Sequence, residues 1–348
     1  MPSSSSSFTP FSFLLTILLP FFLSLLCALA ISKLGRRISL VDTPNERSSH
    51  SIVTSRGGGI GIWLSFLIVG FLLIDPNYRL LTFVAGCIGL LGLINDRFEI
   101  SSKLRLLLQL ILSAVIVAAY ANISFFAHPT SFLINPLLFL FFVIFITGTS
   151  NFYNFMDGIN GIAGLTGLIG FGLMAYFSYF ILNAHDVFLM SAVLAAGCLG
   201  FLPFNFLKAR VFMGDVGSIF LGFVFASFVV KMSANINIFF CIIMFLCTFY
   251  SDATVTIFYR WRRGENLMQA HRSHLYQYMS NELGFPHWKV STLYAVVQLA
   301  VGVTAIWTYQ KNIAFQVTLM VVYVILFIAL YRLIKAIKPT VKYANDSI

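Results

Sequence analysis

Eleven apolar runs, most of them near the length of a helix that crosses a bilayer, leave this chain little choice of fold. They lie at about 10–31, 57–74, 80–94, 104–122, 136–150, 162–182, 188–204, 216–232, 236–258, 290–308 and 313–334. The chain is therefore expected to be an all-α polytopic integral membrane protein with about 11 transmembrane helices. Composition agrees, since 59% of the 348 residues are hydrophobic, only 10% are charged, and 38 are Phe. No Lys or Arg precedes the first run, so it reads as a retained helix rather than a cleaved signal peptide. The five cysteines all sit inside apolar runs, without metal-ligand spacing, and read as packing residues.

Basic residues fix the expected orientation. Threading the chain with its N-terminus outside leaves only Arg79, Lys231 and Lys311 near the outer face, so 19 of the 22 Lys and Arg lie inside. Cytoplasmic loops retain Lys and Arg, so the N-terminus is expected to be periplasmic and the C-terminus cytoplasmic. The net charge of +10 is mainly this bias, together with attraction to anionic headgroups or an anionic substrate, and is not a nucleic-acid footprint. Residues 1–9 read as a disordered cap, 10–335 as a single transmembrane catalytic domain, and 336–348 as a cytoplasmic tail. No internal repeat and no phosphate-binding P-loop pattern is present.

The acids are the more informative signal. Asp96 follows the third run, Asp157 the fifth and Asp215 the seventh, while Asp252 sits about two turns before the end of the ninth. Successive members are two spans apart, which brings all four to the same, cytoplasmic, membrane face. Carboxylates at a membrane boundary are costly unless paired, hydrated or metal-bound, so the cluster reads as a polar site.

Four stretches surround these acids. GLINDRFEISSKLRLLLQ sets Asp96 beside Lys103 and Arg105: either a phosphate-binding arrangement or positive flanking with a local salt bridge. VFMGDVGS puts Asp215 between glycines at a helix start, where it can cap the helix, hold a divalent cation that also touches a diphosphate, or both. HSIVTSRGGGIGI carries His50, Arg56 and three glycines; it reads as an anion nest or as close helix packing. YRWRRGENLMQAHRSHLYQ gathers Arg260, Arg262, Arg263, His271, Arg272 and His274; it suits a diphosphate better than zinc, with a lipid-contacting loop as the competing reading.

Taken in order, VDTPNERSSH, SRGGG, NDRFEISSK, NFYNFMDGINGIAG, VFMGDVGS and HRSHLYQ resemble the polyprenyl-phosphate N-acetylhexosamine-1-phosphate transferase superfamily, the glycosyltransferase 4 group, from about residue 40 to residue 280. The first of these stretches is most similar to members that initiate O-antigen or other surface-polysaccharide synthesis. The resemblance implies a Mg²⁺-dependent reaction, with Mn²⁺ as substitute, in the bacterial inner membrane. Undecaprenyl phosphate attacks the β-phosphorus of a UDP-N-acetyl-sugar, giving undecaprenyl-diphospho-sugar and UMP. Carried over by motif, Asp96, Asp157, Lys103 and His274 are expected catalytic residues and Asp215 the metal ligand. Asn154, Asn160, Asn205, Phe212, Arg47, His50, Arg56, His271 and Arg272 are expected substrate-binding residues. Expected partners are the lipid phosphate, the nucleotide sugar and the bilayer, with no nucleic acid; a homodimer is admitted.

Three positions depart from the family pattern. Asn95 stands where the first acid of a pair is common, Asn160 where a second acid follows Asp157, and Tyr276 and Gln277 where histidines follow His274. Asn cannot take a proton at neutral pH, so no general base stands at 95 or 160. The lipid phosphate is already largely anionic near neutral pH, which shifts the expected burden to positioning and charge neutralisation. Asn160 and HRSH look closest to the branch using UDP-N-acetylfucosamine or UDP-N-acetylquinovosamine. A membrane transporter, or a family member inactivated by its Asn substitutions, are the alternatives.

Overall fold

A computed structural model describes residues 10–44, 49, 52–98, 100–120, 134–267, 269 and 271–338. The expected cap at 1–9 and the tail beyond 338 lie outside the described residues. Helices α1 (Pro10–Leu34), α2 (Ile60–Leu72), α3 (Arg79–Phe98), α4 (Ser102–Ala119), α5 (Ile134–Phe155), α6 (Ile162–Phe180), α7 (His185–Phe201) and α8 (Asp215–Met232) are followed by α9 (Ile236–Ile243) and α10 (Cys247–Arg262). The last two form one 27-residue span with a 3₁₀ turn, Met244–Leu246, at its middle. Helices α11 (His287–Thr308) and α12 (Ile313–Ala336) complete the bundle.

Every expected run is helical, but among the described residues ten helices, not eleven, are long and apolar enough to cross a membrane. The correction falls on the second run. Helix α2 has only 13 residues, about 20 Å of helix against a hydrocarbon core of about 30 Å. It is short because Gly57, Gly58 and Gly59, counted into the apolar run, are spent on a turn. Two other helices run further than the hydrophobic pattern suggests, so Asn95 and Asp96 lie in the last turn of α3 and Asn151 and Asn154 in that of α5.

Helix α8 is the axis of the fold. Every residue from Asp215 to Met232 except Lys231 is buried, as its all-round apolar sequence requires. Helices α3 and α5 pack along it. Lys231 reaches the end of the bundle remote from Asp215, where its Nζ sits 4.1 Å from the Tyr78 ring centroid and 4.7 Å from that of Tyr120.

The all-α expectation also needs amending, because three short strands close the bundle at the Asp215 end. Strand β1 (Val41–Asp42) pairs antiparallel with β2 (Thr54–Arg56), which pairs parallel with β3 (Val211–Phe212); Val41 faces Ser55, and Arg56 faces Phe212. The glycines after β2 continue the attachment, since Gly58 N–H donates to Phe212 O (2.8 Å) and Gly59 N–H to Met213 O (2.9 Å). These amides are consumed by the fold, so of the two readings of the Gly run the close-packing one describes the structure. A Cβ on Gly59 would come within 2.4 Å of Gly217 Cα.

Gly92 has the same function between α3 and α8, where an added Cβ would stand 2.5 Å from Asp215 O and 2.6 Å from Val216 N, both backbone atoms. Gly92→Ala is expected to force the two helices apart at a cost of about 1–3 kcal/mol. Thermal unfolding in detergent should show a lowered Tm for Gly92→Ala and none of that loss for Gly172→Ala, whose Cβ would meet nothing within 4 Å. Equal Tm values for the two variants would contradict this packing.

Candidate active site

The end of α8 begins with backbone N–H groups that no helical turn can satisfy. Asp96, arriving from α3, supplies the acceptors: its Oδ1 takes the Asp215 N–H (2.8 Å) and its Oδ2 the Val216 N–H (3.1 Å). Its negative charge also faces the positive end of the helix. Arg56, leaving β2, completes the shell with Nη2 2.7 Å from Asp96 Oδ1. Asp96 is 4% exposed, and both of its oxygens are committed to this cap.

The Asp215 side chain is met by four donors. Oδ1 accepts from Asn154 Nδ2 (2.9 Å) and Arg56 Nη2 (3.3 Å); Oδ2 accepts from Asn95 Nδ2 and Arg105 Nη1, both at 2.7 Å. Asn95 is thus a donor to a carboxylate, and an Asp in its place would set a second negative charge at that position. Asn154 also donates to Ser218 Oγ (2.9 Å), tying α5 to the first turn of α8. Arg56 is pulled down by burial and pushed up more strongly by Asp96, Asp215, Asp42 and Asp157, so its pKa ends above the ordinary value.

Asp157 differs from both. It lies in the turn after α5, partly buried, and among the described residues no group hydrogen-bonds its carboxylate. Burial, then the Asp215 charge and the Asp96 charge, push its pKa well above the carboxylate range, with Arg56 opposing. Asp157 and Asp215 face one cavity of 280 Å³, which Arg56, Asn160, Asn205 and Phe212 also line. An unpaired carboxylate beside a second one is a donor set for a hard divalent cation, which uses one or two carboxylates and completes its shell with phosphate and water. Asp157, whose oxygens accept no hydrogen bond among the described residues, fits a Mg²⁺-type ion; Asp215, which already accepts from four donors, would join it by releasing one of them, whereas Asp96 is bound to the helix end and does not line the cavity.

Other expected residues distribute unevenly. Asn205 lines the cavity with its amide used at both ends, accepting from Gly161 N–H (2.7 Å) and donating to Val211 O (2.9 Å). Asn160 is tethered through its backbone, its N–H to His287 Nδ1 (3.4 Å) and its O to Ser291 Oγ (2.7 Å). Arg47 and His50 lie outside the described residues. Lys103 is exposed, and Arg105 makes the contact with Asp215 instead. Two residues along a helix turn the side chain by about 200°, so both cannot face the site.

The histidine segment is displaced from its expected place. His271, Arg272 and His274 do not line the cavity. His274 is buried with Nδ1 3.4 Å from Asp252 Oδ1, and the His271 ring packs 4.9 Å from it. Burial, then His274 and Arg260, push the His271 pKa down to about 4, which leaves it neutral near pH 7 and unsuited to pairing with a diphosphate. Arg272 stands 3.9 Å from Glu282. Asp252 instead holds the segment in place, accepting from Leu275 N–H (2.9 Å), Tyr276 N–H (3.2 Å) and Tyr294 Oη–H (2.7 Å). Tyr276 then donates to Phe155 O (2.9 Å) beside Asp157, and Gln277 reaches the cavity wall. His287, at the start of α11, also lines the cavity and carried no motif that would have singled it out.

Comparison with known proteins places these residues in a family context. A model described as glycosyl transferase family 4 matches residues 78–233, which hold Asn95, Asp96, Arg105, Asn154, Asp157 and Asp215. A probable undecaprenyl-phosphate N-acetylglucosaminyl 1-phosphate transferase of Bacillus subtilis (strain 168) is 26% identical over 226 residues, 60% of this chain and 61% of that protein. A phospho-N-acetylmuramoyl-pentapeptide-transferase of Staphylococcus epidermidis is 27% identical over 273 residues, 72% of this chain and 83% of that protein. Its Bacillus subtilis counterpart is 27% identical over 233 residues, 60% and 72% of the two chains.

The raised pKa of Asp157 sets a pH dependence. A group whose folded pKa lies above its unfolded value contributes its stability below the unfolded pKa, about 4, and loses it as pH rises through the folded pKa. In chelator-treated buffer, Asp157→Asn is expected to be more stable than wild type at about pH 8, with the difference shrinking toward about pH 5. Added Mg²⁺ should raise the wild-type Tm but not that of Asp157→Asn. Parallel Tm profiles, or an equal Mg²⁺ response, would contradict the unpaired carboxylate.

Proposed function

Because the chain belongs to the polyprenyl-phosphate N-acetylhexosamine-1-phosphate transferase superfamily, we propose that it transfers an N-acetyl-sugar 1-phosphate from a UDP-N-acetyl-sugar to undecaprenyl phosphate. The observation that carries this reading is the meeting of Asp157, Asp215 and Arg56 around one polar cavity at the end of a membrane bundle, with Arg105 paired to Asp215. Such a site can hold a diphosphate. An oxygen of the lipid phosphate forms a bond to the β-phosphorus, the bond from that phosphorus to the bridging oxygen breaks, and UMP leaves with the electron pair. The sugar keeps its bond to the β-phosphate throughout.

Each residue has a role that follows from its surroundings. Arg56 and Arg105 screen the carboxylates and offer cationic donors to phosphate oxygens. Asn95 and Asn154 orient Asp215, and Asp96 fixes the helix end on which Asp215 is mounted. A Mg²⁺ or Mn²⁺ ion held by Asp157 and Asp215 would neutralise charge on the diphosphate. Phe212 provides a flat apolar face for the uracil ring, and the cavity side formed by Asn160 and His287 faces the sugar. No proton has to be removed from a phosphate that is already anionic, so Asn at 95 and 160 is compatible with turnover.

The finer reading is that the product initiates O-antigen or another surface polysaccharide in the bacterial inner membrane, with the N-terminus periplasmic, the site cytoplasmic, and UDP-N-acetylfucosamine or UDP-N-acetylquinovosamine as donor. Support for it comes from VDTPNERSSH, Asn160 and HRSH. The transporter alternative calls for acids near the midplane and paired broken helices. Asp96, Asp157 and Asp215 instead gather at one end of the bundle.

Purified protein with undecaprenyl phosphate, Mg²⁺ and a panel of UDP-N-acetyl-sugars is expected to release UMP. Asp215→Asn should lower the rate by about 10²–10³, the scale of losing a main electrostatic element of a transition state. Absence of UMP release with every sugar, from folded protein, would overturn the reading.

A further inference from the structure

A second cavity, of 530 Å³ and lined by cations, lies at the same end of the bundle as Asp215 but is lined by none of the residues of the candidate active site. It opens between the last turns of α10 and α12, and its wall on a third side is Ser273 and Tyr278. Four cations line it, Arg260, Arg263, Arg332 and Lys335, with no carboxylate among the lining residues.

Two of the four are accounted for by the fold. Arg260 is buried, donating through Nε to Glu265 Oε2 (2.8 Å) and through Nη2 to Asn266 O (2.8 Å). Arg263 stands 3.8 Å from the same Glu265. Arg332 and Lys335 have no carboxylate partner among the described residues. Arg332 uses only Nε, on Tyr259 Oη (2.7 Å), which leaves both terminal nitrogens of its fork without an acceptor among the described residues. Lys335 Nζ donates to Ser273 O (3.0 Å) and rests 4.2 Å from the Tyr278 ring centroid. The rings of Tyr259 and Tyr331 stack with centroids 5.3 Å apart and planes 2° from parallel.

A planar fork with free donors beside an ammonium group is the arrangement that takes a phosphate. Stacked tyrosines between the ends of two membrane spans belong at the level where headgroups meet acyl chains. We propose that this cavity binds a phosphate-bearing anion, and that its occupant is the headgroup of an anionic phospholipid inserted between α10 and α12. Basic pockets between membrane spans are suited to such headgroups. The proposal stands independently of the transferase reading.

Native mass spectrometry of the full chain in detergent, titrated with phosphatidylglycerol or phosphatidylcholine, tests it. Wild type is expected to retain phosphatidylglycerol preferentially, and Arg332→Gln/Lys335→Gln to weaken that binding about tenfold or more, at roughly fivefold per lost cation. Arg332→Lys/Lys335→Arg should retain the preference, and Arg262→Gln, an exposed cation outside the cavity, should match wild type. A Tm measured for each variant separates loss of binding from loss of fold. Competition with glycerol 3-phosphate and inorganic phosphate distinguishes the source. Failure to displace supports the lipid, whereas displacement keeps the phosphate site and overturns its assignment to lipid. Equal binding of the two lipids by wild type, or equal phosphatidylglycerol binding by wild type and a folded Arg332→Gln/Lys335→Gln, overturns the site itself.

Discussion

The cap that Asp96 places on α8 is the interaction on which the rest depends. A helix that is buried from its first residue has no water to satisfy its leading N–H groups, and an uncompensated carboxylate in the same place would be equally costly. Each defect cures the other. Asp96 accepts two of those N–H groups, and Arg56 balances its remaining charge. The three partners come from α3, α8 and β2, so one contact fixes the axis of the bundle, the helix beside it and the small sheet across its end. The glycines at 59 and 92 permit the close approach that the contact requires.

Three acids that look equivalent in the chain thereby acquire different work. Asp96 caps α8, Asp215 is oriented by four donors, and Asp157 is left without a hydrogen-bond partner among the described residues. Asn95 belongs to the second of these environments. Its amide gives a hydrogen bond to Asp215 where an acid would add repulsion, so the departure from the family pattern preserves the charge state of the site. The segment at 274–277 serves the same end from behind, since Asp252 anchors the backbone that carries Tyr276 and Gln277 to the cavity.

What the sequence made legible was whatever is written locally. Apolar runs marked every membrane-length helix among the described residues, and the two-span spacing of the acids set Asp96, Asp157 and Asp215 at one end of the bundle. Contacts between distant segments were not legible. Strands of two or three residues, separated by some 150 positions, have no periodicity to announce them. A cap supplied 119 residues away from its helix leaves no capping motif, so Asp96 read only as an expected catalytic residue. Helical phase decided between Lys103 and Arg105, and nothing in the flanking loop fixes that phase until Ser101 caps α4 through Leu104 N–H (3.3 Å). The placement of the histidines was not legible for a related reason: a run of His and Arg looks the same whether its partner is a ligand or a buried Asp252.

If the carboxylates hold charge and position while the lipid phosphate itself attacks, the reaction is a single displacement. Isotope exchange tests that claim most directly, with labelled UMP incubated with unlabelled UDP-N-acetyl-sugar, Mg²⁺ and the protein. Label should enter the nucleotide sugar only when the undecaprenyl-diphospho-sugar product is also present. Exchange in the absence of any lipid would mean that an enzyme carboxylate takes the phosphosugar first, and would contradict the account.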